Sequence, residues 1–191
     1  NPDTVRWVVL SHLHFDHAGM IDAFPKAKDV ADAREWAHWK GRPVSGTNPD
    51  WAAMEKKLNP DLINLVATPP FGPFDHGLDL FADGTVLLVD LAGHTAGSLG
   101  MWVNLNSGPV LLAGDAAWVT ENYRDLVLPI KNHIHDVREY WRKLYMLRAG
   151  LEAVPDLMVF PGHDLSPLAL QPRPDVTKAN TSTLPGQDLI P

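Results

Sequence analysis

The chain has 191 residues, is 45% hydrophobic and contains no cysteine, which is enough apolar content for one good core and excludes a structural four-thiolate zinc site. Its formal net charge is −7 with histidines neutral, which argues against a nucleic-acid groove, because such a groove needs a basic face. No apolar run is long enough to span a bilayer, and a chain without thiols tolerates either redox state, so cytoplasmic and secreted locations both stay open.

Val5-Arg6-Trp7-Val8-Val9-Leu10 is β-branched, aromatic and apolar, and it predicts a buried strand. His12-Leu13-His14-Phe15-Asp16-His17 follows at that strand's end. Side chains two apart in extended chain face the same way, so His12 and His14 can grip one ion together. Ala18-Gly19-Met20-Ile21 reads as the start of a helix with Asp16 near its N-terminus. As the chain turns there, Asp16 and His17 can point to a second ion beside the first.

Residues Val30 to Lys40 read as a helix carrying Trp36 and Trp39, with His38 on its surface. The stretch from Gly41 to Pro49 reads as a loop, after which Asp50 can cap a short helix through Leu58. Leu62 to Val66 is a candidate strand, with a continued loop as its alternative. Thr68 to Phe74 carries three prolines and cannot be a central strand, because proline removes ladder donors. His76 follows on a loop able to border a cleft.

Strands are expected at Val86–Leu91, Leu99–Leu105, Val110–Ala113 and Leu157–Phe160. Three of these lead directly to a further metal-ligand type of residue: His94, Asp115 and His163. Asp136 to Ala149 is the clearest helix, with Asp136 as N-cap, Gly150 at its end and an aromatic-aliphatic stripe through Val137, Tyr140, Trp141, Leu144 and Leu147 that reads as core. His133 and His135 alternate just before it. A solvated helix start is favoured there over a two-histidine metal or substrate contact. The whole reads as one domain over 1–170 and a polar, proline-rich, irregular tail over 171–191.

Five imidazoles and two carboxylates thus stand at the ends of buried strands. This donor mix suits zinc better than calcium or magnesium. Seven donors shared by two ions, one of them bridging, leave room for a solvent ligand. Iron or manganese would change the metal and keep the scheme.

The motifs His12-Leu-His-Phe-Asp-His17-Ala-Gly, Gly93-His94-Thr95, Gly114-Asp115 and Gly162-His163-Asp164 resemble the metallo-β-lactamase superfamily, and they run through nearly the whole chain. The resemblance implies an α/β fold, a four-layer αβ/βα sandwich with metals at one edge of two packed sheets. It implies that His12, His14 and His94 hold a first zinc, that Asp16, His17 and His163 hold a second, and that Asp115 bridges them. The first string is also similar to the N-acyl-homoserine lactonase branch. That branch carries a tyrosine three residues after the bridging aspartate, where this chain has Trp118. The family places several strands and a helix before the first motif, so a chain lacking its front is expected. A homo-oligomeric partner or a retained N-terminal fragment would then cover the exposed sheet edge.

The function implied is a dinuclear zinc metallohydrolase. A bridging hydroxide opens a lactone or ester-like bond in a small-molecule substrate. Asp16 and Asp115 are the candidate proton carriers. Phe15, Trp118 and Tyr123 are candidates for the substrate wall, and Asp164 for orienting His163 or a neighbouring loop. Other branches of the family cleave thioesters, phosphotriesters, aryl esters or carbon–halogen bonds, and all stay open. So does a metal-binding module without activity. Redox chemistry at a di-iron site would need a flavin domain, and none is visible.

Overall fold

The computed structural model describes residues 1–40, 51–164 and 166–169. Among these residues the helices are α1 (Phe15–Ala18), α2 (Ala33–Trp39), α3 (Trp51–Glu55), α4 (Thr120–Arg124), α5 (Val137–Ala153) and α6 (Ser166–Ala169). Three strands, β1 (Trp7–Val9), β2 (Lys28–Asp32) and β3 (Pro60–Ile63), form a parallel sheet in that order. The strands β4 (Gly77–Asp79), β5 (Val86–Asp90), β6 (Leu99–Leu105), β7 (Gly108–Gly114) and β8 (Met158–Pro161) form a second sheet, also in chain order. The second sheet is antiparallel as far as β7, and β8 then joins β7 in parallel. A parallel neighbour needs a crossover connection, and α5 supplies it.

Strand alternation assigns the layers. Leu88 of β5 and Leu99 of β6 pack against Val30 of β2, with Val9 and Ile63 beside them, so the two sheets lie face to face. Leu87 and Val89 point the other way, into a cluster with Leu111, Val159 and the buried Tyr140, Leu144 and Leu147 of α5. On the far side of the first sheet, Leu10 and Leu13 pack with Trp39 of α2 and with Trp51 and Met54 of α3. The order helix, sheet, sheet, helix is the four-layer αβ/βα sandwich expected.

Several boundaries differ from expectation. Val30 to Asp32 belong to β2, not to a helix. Val30 and Ala31 are buried between β1 and β3, and the helix begins only where the Asp32 side chain accepts from the Arg34 N–H. The segment after His17 is a single turn, α1, followed by a 3-10 turn at Ile21–Ala23. The strand sought at Leu62–Val66 lies earlier, at Pro60–Ile63, and Leu65–Ala67 is a 3-10 turn. Asp136 caps α5 as expected, accepting from Arg138 and Glu139 N–H at 2.9 and 3.0 Å. The helix does not stop at Gly150, which is buried inside it; it runs on to Ala153. The strand β4 and the helix α4 had no counterpart in the sequence reading. The loop from Gly41 to Pro49, Asp50 and the tail from Gln171 to Pro191 lie outside the described residues.

A line of buried charges ties the layers together. The Asp32 carboxylate pairs with Arg34, whose Nη2 reaches Asp90 Oδ1 at 2.6 Å. The other Asp90 oxygen accepts from Lys143 Nζ of α5 at 2.7 Å, and Lys143 also reaches Asp75 at 3.1 Å. Lys143 is 1% exposed, so this lysine is bound wholly to protein groups. No helix among the described residues is long and apolar enough to cross a membrane.

Candidate metal centre

β1 ends at Val9, and the next residues leave along the seam between the sheets. Leu10 N–H donates to the Val30 carbonyl at 2.9 Å, and Leu99 N–H donates to the Ser11 carbonyl at 2.8 Å. Those bonds anchor the turn that carries His12 and His14. His12 Nε2 lies 3.0 Å from His14 Nδ1, and His94 Nε2 lies 3.0 Å from the same atom. His94 comes from the turn after β5, 80 residues away from His14 in sequence. Ser11 Oγ stands 3.2 Å from His12 Nδ1, which leaves Nε2 to face the cluster.

Asp115 follows β7 and is 3% exposed. Its Oδ1 is 3.2 Å from His17 Nε2, and its Oδ2 is 3.3 Å from His94 and 3.2 Å from His163. Asp16 completes the outer side, 3.6 Å from His17 and 3.9 Å from His163. Backbone bonds hold this end in place: Gly162 and His163 N–H donate to the carbonyls of Ala117 and Trp118, each at 2.9 Å. All seven donor residues singled out from sequence therefore meet in one place. They divide into His12, His14 and His94; His12, His17 and Asp115; and Asp16, His17 and His163. In each group the donor atoms lie within 4.8 Å of one another.

The donor chemistry fits cations. Nitrogens of His12 and His94 each stand 3.0 Å from the same nitrogen of His14, and hydrogen bonds alone cannot satisfy three such lone pairs at once. Nitrogens held ~2.0–2.1 Å from a tetrahedral zinc stand roughly 3.3 Å apart, close to this spacing. His17 Nε2 and Asp115 Oδ1 face each other at 3.2 Å, both buried, and neither has a well-aligned hydrogen bond in the described structure. The three groups overlap through His12 and His17, and Asp115 stands between the inner and outer histidines.

The electrostatics prepare the same groups. Burial lowers His12 well below the usual imidazole value, and neighbouring histidines push in the same direction. Burial lowers His14 and His94 to about 4, outweighing the pull of Asp115. Three neutral imidazoles result at physiological pH, which is the form that binds metal. For His17, burial pushes down, but Asp115 and Asp16 prevail and raise it. Burial pushes the Asp115 carboxyl up, while His17, His94 and His163 pull it below its ordinary range.

The remaining expected residues separate. Phe15 is 54% exposed beside the histidines. Trp118 packs its indole edge-on to His94, His133 and His163, with ring centroids 5.5–6.0 Å apart, and its Nε1 is buried without a partner in the described structure. Tyr123 does not form a substrate wall. It is 2% exposed in the α5 core cluster, with its hydroxyl donating to the Val159 carbonyl at 3.4 Å. Asp164 accepts from Thr120 and Ser166, joining α4 to α6, so of its two expected roles it takes the neighbouring loop. His76, half-buried, ties its loop through Nδ1 to the Thr68 carbonyl at 2.8 Å. His133 and His135 are exposed, in keeping with a solvated helix start, and the backbone there supports the His94 turn: His135 and Asp136 N–H donate to the carbonyls of His94 and Gly93.

Gly93 has φ +146°, and a Cβ there would meet the backbone N and Cα of Tyr140 at 2.7 Å. Gly93→Ala is expected to cost about 1–3 kcal/mol through overpacking, read as an earlier thermal transition. An unchanged transition would mean that α5 does not press on the His94 turn. Sequence reading missed Glu35, Arg34, Asp90 and Lys143. The one hint was an aspartate closing the apolar strand Val86–Asp90.

Comparison with known proteins agrees with this geometry. The pattern of the metallo-beta-lactamase superfamily matches residues 1–163. The chain is 31% identical over 167 residues to N-acyl homoserine lactonase AttM of Rhizobium radiobacter, covering 86% of this chain and 60% of that protein. It is 33% identical over 171 residues to the AttM of Azorhizobium caulinodans, with the same coverage. It thus spans about 60% of the length of these curated relatives. Among solved structures, a mutant of B. thuringiensis AiiA with N-decanoyl-L-homoserine at its active site superposes with a TM-score of 0.71 at 23% identity, over 90% of this chain and 61% of that one. The dizinc quorum-quenching lactonase AidC superposes with a TM-score of 0.64 at 14% identity, over 85% and 58%. At such identities these two bear on the fold. With the sandwich and the converging donors, the match over residues 1–163 places this chain in the metallo-β-lactamase superfamily.

Proposed function

We propose that this chain carries the metal centre of a dinuclear zinc hydrolase that opens a lactone or a similar ester bond. The observation that carries the proposal is the position of Asp115, whose two oxygens reach into both histidine groups. The lactonase relatives AttM support a lactone as substrate. Bound divalent cations activate water near neutral pH and polarise a carbonyl or phosphoryl oxygen.

The protein's part is to hold and to shield. His12, His14 and His94 present neutral nitrogens for one ion. Asp16, His17 and His163 serve the other, with Asp115 shared. Asp115 is enclosed, whereas the Asp16 side chain is 41% exposed, so Asp16 is the carboxylate able to pass a proton to solvent. Phe15 offers an apolar face beside it. In this reading Trp118 Nε1–H, buried without a protein acceptor in the described structure, is the donor to a substrate oxygen.

The test is metal analysis of the purified protein, followed by hydrolysis assays on lactones, aryl esters, thioesters and phosphotriesters before and after chelation. Two zinc ions per chain and chelator-sensitive lactone hydrolysis are expected. A metal-free protein, or activity indifferent to chelation, would refute the proposal. Turnover of thioesters or phosphotriesters alone would keep the metal centre and change the substrate class. Trp118→Phe keeps an aromatic ring and deletes one hydrogen bond, typically worth ~0.5–1.5 kcal/mol. About a three- to tenfold fall in kcat/KM is expected, and no change would remove Trp118 from substrate contact.

A further inference from the structure

Glu35 stands on the first turn of α2 and is fully buried. Its Oε1 accepts from the Leu13 backbone N–H at 3.0 Å and from the Trp39 indole N–H at 2.9 Å. Its Oε2 accepts from the Gly97 backbone N–H at 2.9 Å. Leu13 is the residue between His12 and His14, and Gly97 closes the turn that carries His94. One side chain is therefore bonded to both loops that supply the three-histidine group, although these loops belong to different sheets. The contact is close. A Cβ at Gly97 would meet the Glu35 backbone N at 2.5 Å and its Cβ at 2.8 Å, so the loop lies directly on the helix turn.

We propose that Glu35 is a positioning residue for the metal centre, setting the separation of the two loops so that His12, His14 and His94 converge before any cation arrives. This rests on the reading of those histidines as ligands. The choice of glutamate follows from its acceptors. A carboxylate accepts at both oxygens and can serve three N–H groups at once. Glutamine offers one accepting oxygen and an NH2 that only donates. With its oxygen toward Leu13 and Trp39, the NH2 of a glutamine would oppose the Gly97 N–H, donor against donor. Flipped, it would oppose two. Aspartate is one methylene too short to span both loops.

The experiment is a titration of the metal-free protein with Co2+, followed by its visible absorption band and by competition with zinc, on wild type, Glu35→Gln and Leu147→Ala. Leu147 lies on the buried face of α5, in the other helix layer, so Leu147→Ala serves as a destabilised control that removes none of the proposed metal ligands. Glu35→Gln is expected to bind Co2+ about 10–100-fold more weakly, the range seen when groups supporting metal ligands are removed, with an altered cobalt band. Leu147→Ala is expected to melt earlier and to bind Co2+ as wild type does. Wild-type affinity in Glu35→Gln would overturn the proposal and leave the metal centre standing. A wild-type protein that binds no cobalt would overturn the metal reading itself. Amide exchange in the wild type decides the matter if Glu35→Gln does not fold. Slow exchange at both Leu13 and Gly97 supports the double tether, and exchange at the rate of exposed loops overturns it.

Discussion

Replacing Asp115 by alanine is expected, on the two-metal reading, to release at least one cation and to lower kcat/KM by about a thousandfold or more. A metal polarising the reacting centre contributes several kcal/mol, and each ~1.4 kcal/mol is a factor of ten. Asp115 is the residue whose oxygens approach His17, His94 and His163 together. Without it, His17 and His163 keep Asp16 beside them but lose the carboxylate that also reaches His94, so in the two-metal reading the cations lose their shared anion. The comparison with His163→Ala is informative. His163 is 44% exposed and belongs to the outer group, so its loss should spare the ion held by His12, His14 and His94. Metal counting by elemental analysis should give one ion per chain for His163→Ala and no more than one for Asp115→Ala. Two ions in Asp115→Ala with undiminished lactone hydrolysis would end the two-metal reading.

The second large effect is on stability. Lys143→Met keeps most of the side chain's volume and deletes the ammonium that Asp90 and Asp75 share. Removing one partner of a buried pair typically costs ~3–5 kcal/mol, because the other charge stays behind in a poor solvent. Arg34 still reaches Asp90, which places the expectation at the lower end. For a domain of this size ~3 kcal/mol corresponds to a fall in Tm of about 6–12 °C. The pH dependence follows from Asp90. Burial pushes its carboxyl up, but Lys143 and Arg34 pull it below its ordinary value. A folded-state value below the unfolded one stabilises the protein above about pH 4, and that stability is lost as pH falls through the folded value. The gap in Tm between wild type and Lys143→Met should therefore be widest near neutral pH and narrow below pH 4. A gap that stays constant down to pH 3 would show that the Asp90–Lys143 pair is not its source.

Much of the candidate centre was legible because its donors are local signals. His12, His14, Asp16 and His17 fall within one short string, and His94, Asp115 and His163 each follow a strand marked by an apolar run. The fold was less legible where elements are short. Val30 and Ala31 read as helix because a brief apolar run has no distinguishing period, and the helical residues after Asp32 continue it without a break. What makes them strand is pairing with Trp7–Val9 on one side and Pro60–Ile63 on the other, contacts with distant parts of the chain. β4 spans only Gly77–Asp79 and leaves no pattern to read.

The order of residues alone was enough to say which atoms can bind metal, since donor chemistry is a property of each side chain and strand ends are marked by their own apolar runs. It could not say which polar groups would be enclosed. Tyr123, close to Trp118 in the chain and part of no motif, is buried in the α5 core; Glu35 and Lys143, charged residues on helices, are enclosed as well. Their burial depends on partners far along the chain, Gly97 for Glu35 and Asp90 for Lys143, and a charge can be buried only where the folded chain brings its partner to it.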